Sequence, residues 1–125
     1  MPRLFVDVDD TLVKWGSASG SKLINGAEDW KPNCNVVRLM QELKVDGYEI
    51  IVWSAGGDNY ALMWADRLVP NLYDRAMAKF ALIPLEGDLF IDDIDYVDSY
   101  PWVRLAIHPD DLCDIQSTES TRIGA

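Results

Sequence analysis

The sequence predicts an α/β fold built on a parallel sheet, and three observations carry that expectation. Apolar, β-rich segments alternate with stretches of helical periodicity, as in strand–helix–strand units. The first such segment is apolar enough to be buried on both faces, which is the habit of parallel strands. Polar motifs follow the carboxyl ends of these segments, where open α/β sheets bind their ligands. Parallel neighbours need crossover connections, so helices are expected on both faces of the sheet. The 125 residues fit one domain with one substantial core. That domain is expected to span residues 1–115, with a polar tail over 116–125.

Arg3 to Val8 reads as the first strand, central in the sheet. From Lys14 to Pro32 the composition turns to Gly, Ser, Asn and Lys with isolated Trp15 and Trp30, which predicts a flap or small hairpin over about residues 13–32. Val36, Val37, Leu39, Met40 and Leu43 then recur at helical spacing, with Asn33 or Asn35 as N-cap and Gly47 as the stop. Tyr48 to Trp53 is a second buried strand that delivers Ser54 into the loop Ala55-Gly56-Gly57. Asp58 or Asn59 caps a second helix that carries Leu62, Met63, Asp66 and Leu68 and ends before Pro70. After Lys79 come a short apolar segment, Phe80 to Leu85, a strand over Asp88–Ile91 that ends in Asp92-Asp93, and a last strand over Val103–Ile107.

Composition narrows the function classes. The chain is 49% hydrophobic and 26% charged, which is ordinary for a globular protein, and no apolar run approaches the roughly 18 residues of a membrane span. Met1-Pro2-Arg3 leads straight into a strand without signal-peptide architecture, and Cys34 and Cys113 have no metal-ligand spacing, so reduced thiols and a cytoplasmic location are expected. A net charge of −10 disfavours anionic membranes and nucleic acid, except as a substrate with a phosphate end.

The densest chemistry lies in Leu4-Phe5-Val6-Asp7-Val8-Asp9-Asp10-Thr11-Leu12. Side chains alternate along a strand, so Asp7 and Asp9 leave its end on one face while Val8 turns into the core. Two carboxylates in one small volume need a cation between them, or one takes a proton. With Ser54, Asp92, Asp93 and Lys79 at neighbouring strand ends, four or five carboxylates converge, and oxygen ligands in that number suit Mg²⁺. Zinc would want His or Cys, and the single histidine, His108, reads as a rim residue. By the same alternation Asp10 points away from Asp7, while Asp95 and Asp98 read as part of a solvated turn or helix start. Trp15 and Trp30 read as core or hinge packing, with stacking on a base or sugar as the functional alternative.

These residues resemble the haloacid dehalogenase superfamily of phosphohydrolases in its capless, minimal form, over nearly the whole chain from Arg3 to Ile107. Asp7-Val8-Asp9-Asp10-Thr11 is similar to the first motif of that family, Ser54 to the second, Lys79 by position to the third, and Asp92-Asp93 to the acidic fourth. Lys79 has little local context, and its plainer reading is a solvated lysine at a helix end. The resemblance implies a three-layer Rossmann-like fold without a cap domain and a two-step phosphoryl transfer. Asp7 would be the nucleophile that becomes an aspartyl phosphate, and Asp9 the general acid and then base. Asp7, the Asp9 carbonyl, Asp93 and, less directly, Asp92 would hold Mg²⁺. Ser54, the Ala55-Gly56 loop and Lys79 would hold the phosphoryl group, with Thr11 fixing the nucleophile loop at the edge of that subsite. An open crevice suits a phosphoprotein, a nucleic-acid end or a nucleotide, and is compatible with a lid lent by a second copy of the chain. Dehalogenation fits less well, because Asp9 supplies the proton donor that a phosphate ester needs. The alternatives from other classes are a phospho-receiver-like signalling domain and a noncatalytic binding module on the same fold.

Overall fold

The computed structural model describes residues 2–15, 30–92 and 105–107. The interior of the flap, Asp93, Asp95, Asp98, Val103, His108, Cys113 and the tail lie outside the described residues. Five strands, β1 (Arg3–Asp7), β4 (Glu49–Ser54), β5 (Arg75–Ala78), β6 (Leu89–Ile91) and β7 (Leu105–Ile107), form a parallel sheet in the order β5-β4-β1-β6-β7. β2 (Val13–Trp15) and β3 (Trp30–Pro32) form a separate antiparallel pair, the base of the expected hairpin. The helices are α1 (Cys34–Val45) and α2 (Asp58–Leu68).

β1 is central, as its apolar run requires: Leu4, Phe5 and Val6 are wholly buried between β4 and β6. Its residues alternate between two cores. Leu4 and Val6 join Ile50, Val52 and Ile91 in a cluster with Val36 and Met40 of α1 and Trp64 and Ala65 of α2. Phe5 joins Ile51, Trp53 and Phe90 on the opposite face, its ring 4.4 Å from that of Trp53 and 5.2 Å from that of Phe90, with Met77 and Leu82 packed alongside.

Both described helices therefore cover one face, whereas the alternation of elements predicts helices on both. The steps from β1 to β4 and from β4 to β5 run in the same direction across the sheet, and right-handed crossovers then put both connecting helices on the same side. The direction reverses at β1, since β6 returns to its other edge. A crevice at the carboxyl end of a sheet opens at such a reversal.

Local signals account for most boundaries. The Asn33 side chain accepts the amides of Asn35 and Val36, at 3.2 and 3.4 Å, and caps α1, while Gly47 at φ 93° follows its end. Asn33→Ala is expected to lower stability by about 1 kcal/mol in a urea titration, and an unchanged midpoint would refute the cap. For α2 the N-cap is Gly57, with no side-chain cap, rather than Asp58 or Asn59. The Asp58 carboxylate instead accepts the Ala78 amide at 2.5 Å, so it ties the start of α2 to the end of β5. β5 itself is a strand that sequence patterning does not reveal. Arg-Ala-Met-Ala has neither apolar alternation nor β-branched residues, and only its place at the sheet edge beside β4 makes it a strand.

Among the described residues, no helix is long and apolar enough to cross a membrane.

Candidate active site

Four strand ends deliver the polar motifs to one edge of the sheet. β1 ends at Asp7, β4 at Ser54, β5 one residue before Lys79, and β6 one residue before Asp92. After Asp7 the chain doubles back: the Leu12 amide donates to the Asp7 carbonyl at 3.2 Å and the Val13 amide to the Val8 carbonyl at 2.9 Å. Asp10 takes φ 62° at the crest, a conformation that Asp tolerates better than most residues, and it is exposed. The turn brings Thr11, wholly buried, under the nucleophile candidate, and its hydroxyl donates to Asp7 Oδ2 at 3.0 Å. Thr11 thus holds the Asp7 carboxylate itself, not only the loop that carries it.

Lys79 is the centre of the arrangement. Its Nζ lies 3.1 Å from Asp7 Oδ1 and 2.8 Å from Asp92 Oδ2, and the three side chains are 7, 7 and 1% exposed. The plainer reading of a solvated lysine at a helix end is overturned, since β5 rather than a helix precedes it. The Lys79 amide donates to the Ser54 carbonyl at 2.9 Å, which fixes the lysine backbone against the end of β4. Phe80 follows at φ 67° and stacks edge-on against Trp53 at 5.3 Å. Burial pulls the Lys79 ammonium toward neutrality, but the Asp7 charge and the contacts with Asp92 outweigh it, so its pKa lies above the ordinary lysine value.

Ser54 is buried, and its Oγ accepts the Gly56 amide at 3.0 Å, which closes the loop after β4. Ala55 and Gly56 in that loop are exposed. Gly56 is required by space: a Cβ there would lie 2.8 Å from the ring of Tyr60. That ring belongs to a residue that sequence patterning does not single out. Tyr60 Oη donates to Asp9 Oδ1 at 2.7 Å, and Trp15 Nε1 donates to the same oxygen at 3.0 Å. Burial first, then the bond to Asp9, raises the Tyr60 pKa well above the ordinary phenol value, so Tyr60 stays a donor at neutral pH. The one signal in the sequence is its position, in the first turn of the helix that follows the Ser54 loop.

Trp15 and Trp30 both pack edge-on against the buried Trp64, with ring centroids at 5.8 and 4.8 Å, so the hairpin base is anchored on α2. Arg67 lies over Trp30 and Trp64 at 5.1 and 5.5 Å.

The acidic side chains at these strand ends, Asp7 and Asp92 on Lys79 and Asp9 on Tyr60 and Trp15, offer oxygen donors only, with no His or Cys beside them among the described residues. That chemistry suits Mg²⁺ rather than zinc. No group of three or more His, Cys, Asp or Glu arranged to hold a metal occurs among the described residues, and Asp93 lies outside them. No family model, curated protein or solved structure matches the chain.

Proposed function

We propose that the chain is a Mg²⁺-dependent phosphomonoesterase that works through an aspartyl phosphate on Asp7. The observation that carries the reading is the buried lysine between Asp7 and Asp92, at 3.1 and 2.8 Å. A carboxylate can approach a phosphate dianion only where positive charge offsets their repulsion, and Lys79 supplies that charge at the attacking group. An Asp7 oxygen attacks phosphorus as the ester P–O bond breaks. Asp9 protonates the leaving oxygen, then takes a proton from the water that hydrolyses the acyl phosphate. Ser54 and the exposed Ala55-Gly56 loop would hold the transferred oxygens. Asp7, the Asp9 carbonyl and Asp93 would hold Mg²⁺, with Asp92 acting less directly, and the ion when bound adds charge against the phosphate oxygens.

The proposal extends to the architecture: a three-layer Rossmann-like fold without a cap domain, in which the buried face of Phe5, Ile51, Trp53 and Phe90 packs against the third layer. A phosphorylated substrate with a large or exposed phosphate suits an uncapped edge.

Turnover of an aryl phosphate by the purified protein tests the reading. Multiple turnovers with Mg²⁺, lost on chelation and restored by Mg²⁺, are expected. Labelling that stops at one phosphoryl group per chain would indicate a receiver, and no reaction a binding module. Full activity after exhaustive demetallation, or a zinc requirement, would contradict the metal assignment.

A further inference from the structure

We propose that Tyr60 and Trp15 are positioning residues that hold the Asp9 carboxylate by one oxygen, so that proton transfer is confined to the other; this rests on the phosphatase reading above. Both donors fall on Oδ1, at 2.7 and 3.0 Å, and they come from separate elements, the first turn of α2 and the end of β2. An aspartate on a half-exposed turn has two soft torsions, and two donors on one oxygen fix both. Oδ1 is then saturated. Oδ2 is the oxygen that carries the proton to the leaving ester oxygen as the P–O bond breaks, and that later accepts one from water.

The donors are themselves braced. The Tyr60 ring lies against Gly56, where any Cβ would displace it, and the Trp15 indole packs edge-on against buried Trp64. The first brace links the acid to the loop after Ser54, so phosphoryl-binding loop and proton donor keep a fixed relation. The second links it to the hairpin base, whose strands β2 and β3 pair Trp15 with Trp30. Reactive groups need this kind of fixation, because a misplacement of about 1 Å can cost on the order of 10²-fold in rate.

The test is Tyr60→Phe, which removes one donor and keeps the ring that packs on Gly56. It is expected to lower kcat for an alkyl phosphate about tenfold and for an aryl phosphate much less, since a phenolate needs little protonation, with KM unchanged. In an Asp9→Asn background, which has no carboxylic acid left to orient, the same substitution is expected to cause no further loss. Trp15→Phe repeats the pattern through the second donor and serves if Tyr60→Phe fails to fold. Equal losses for the two esters, or a loss that persists in the Asp9→Asn background, would overturn the inference and leave the phosphatase reading standing. An absence of turnover in the unmodified protein would overturn both.

Discussion

Asp7→Asn is expected to fold like the parent chain and to lose turnover by at least about 10⁴-fold, since the carboxylate assigned to attack phosphorus is gone. Folding should survive because the amide is nearly isosteric, Thr11 can still donate to its oxygen, and Lys79 keeps Asp92. The loss should fall on alkyl and aryl esters alike, because neither ester can pass its phosphoryl group to the protein without the attacking carboxylate. Parallel thermal melts and steady-state kinetics separate the two effects. A folded Asp7→Asn protein with near-normal turnover would remove Asp7 from the reaction.

Lys79→Met is expected to damage stability and activity together. The substitution leaves Asp7 and Asp92 as buried carboxylates without the ammonium between them, and breaking a buried ion pair in this way costs about 3–5 kcal/mol. Catalysis should fall on the order of 10²- to 10³-fold even where the protein remains folded, because charge on the phosphoryl group is no longer offset. Asp92→Asn in the same background should recover part of the stability and none of the rate. Linkage gives a further check. The Lys79 pKa lies above its ordinary value of 10.5, so its stabilising contribution is complete below that value and fades as pH rises through the higher folded one. The stability gap between parent and Lys79→Met should therefore be full at pH 7 and narrow under strongly alkaline conditions. Wild-type melting and turnover in Lys79→Met would refute the central place given to this lysine.

Local sequence makes Asp7, Ser54 and Asp92 legible as site residues. Each ends, or immediately follows, an apolar run, and strand periodicity with the crossover rule is enough to gather them at one edge of a parallel sheet. Lys79 is legible only by its order along the chain. Its strand, β5, is short and poor in β-formers, so the contact with Asp7 depends on edge pairing with β4 that no local pattern announces. Tyr60 is legible only by its place in the first turn after the Ser54 loop, and its pairing with Asp9, 51 residues away, is a tertiary fact. Gly56 is visible as a loop glycine, but its reason, the ring of Tyr60, is a tertiary fact. That the two described helices share one face follows from strand order, whereas the alternation of elements predicts helices on both.

The most direct measurement of the central claim is acid quench of Asp9→Asn during a single turnover of an aryl phosphate, followed by mass spectrometry of the intact and digested protein. The leaving phenolate needs little help, so Asp7 should still be phosphorylated, and the missing base should let the acyl phosphate accumulate. The account predicts one phosphoryl group per chain, carried on the peptide that contains Asp7 and absent when Asp7→Asn is combined with Asp9→Asn. Turnover without any phosphorylated protein, or a phosphoryl group on a residue other than Asp7, would contradict it.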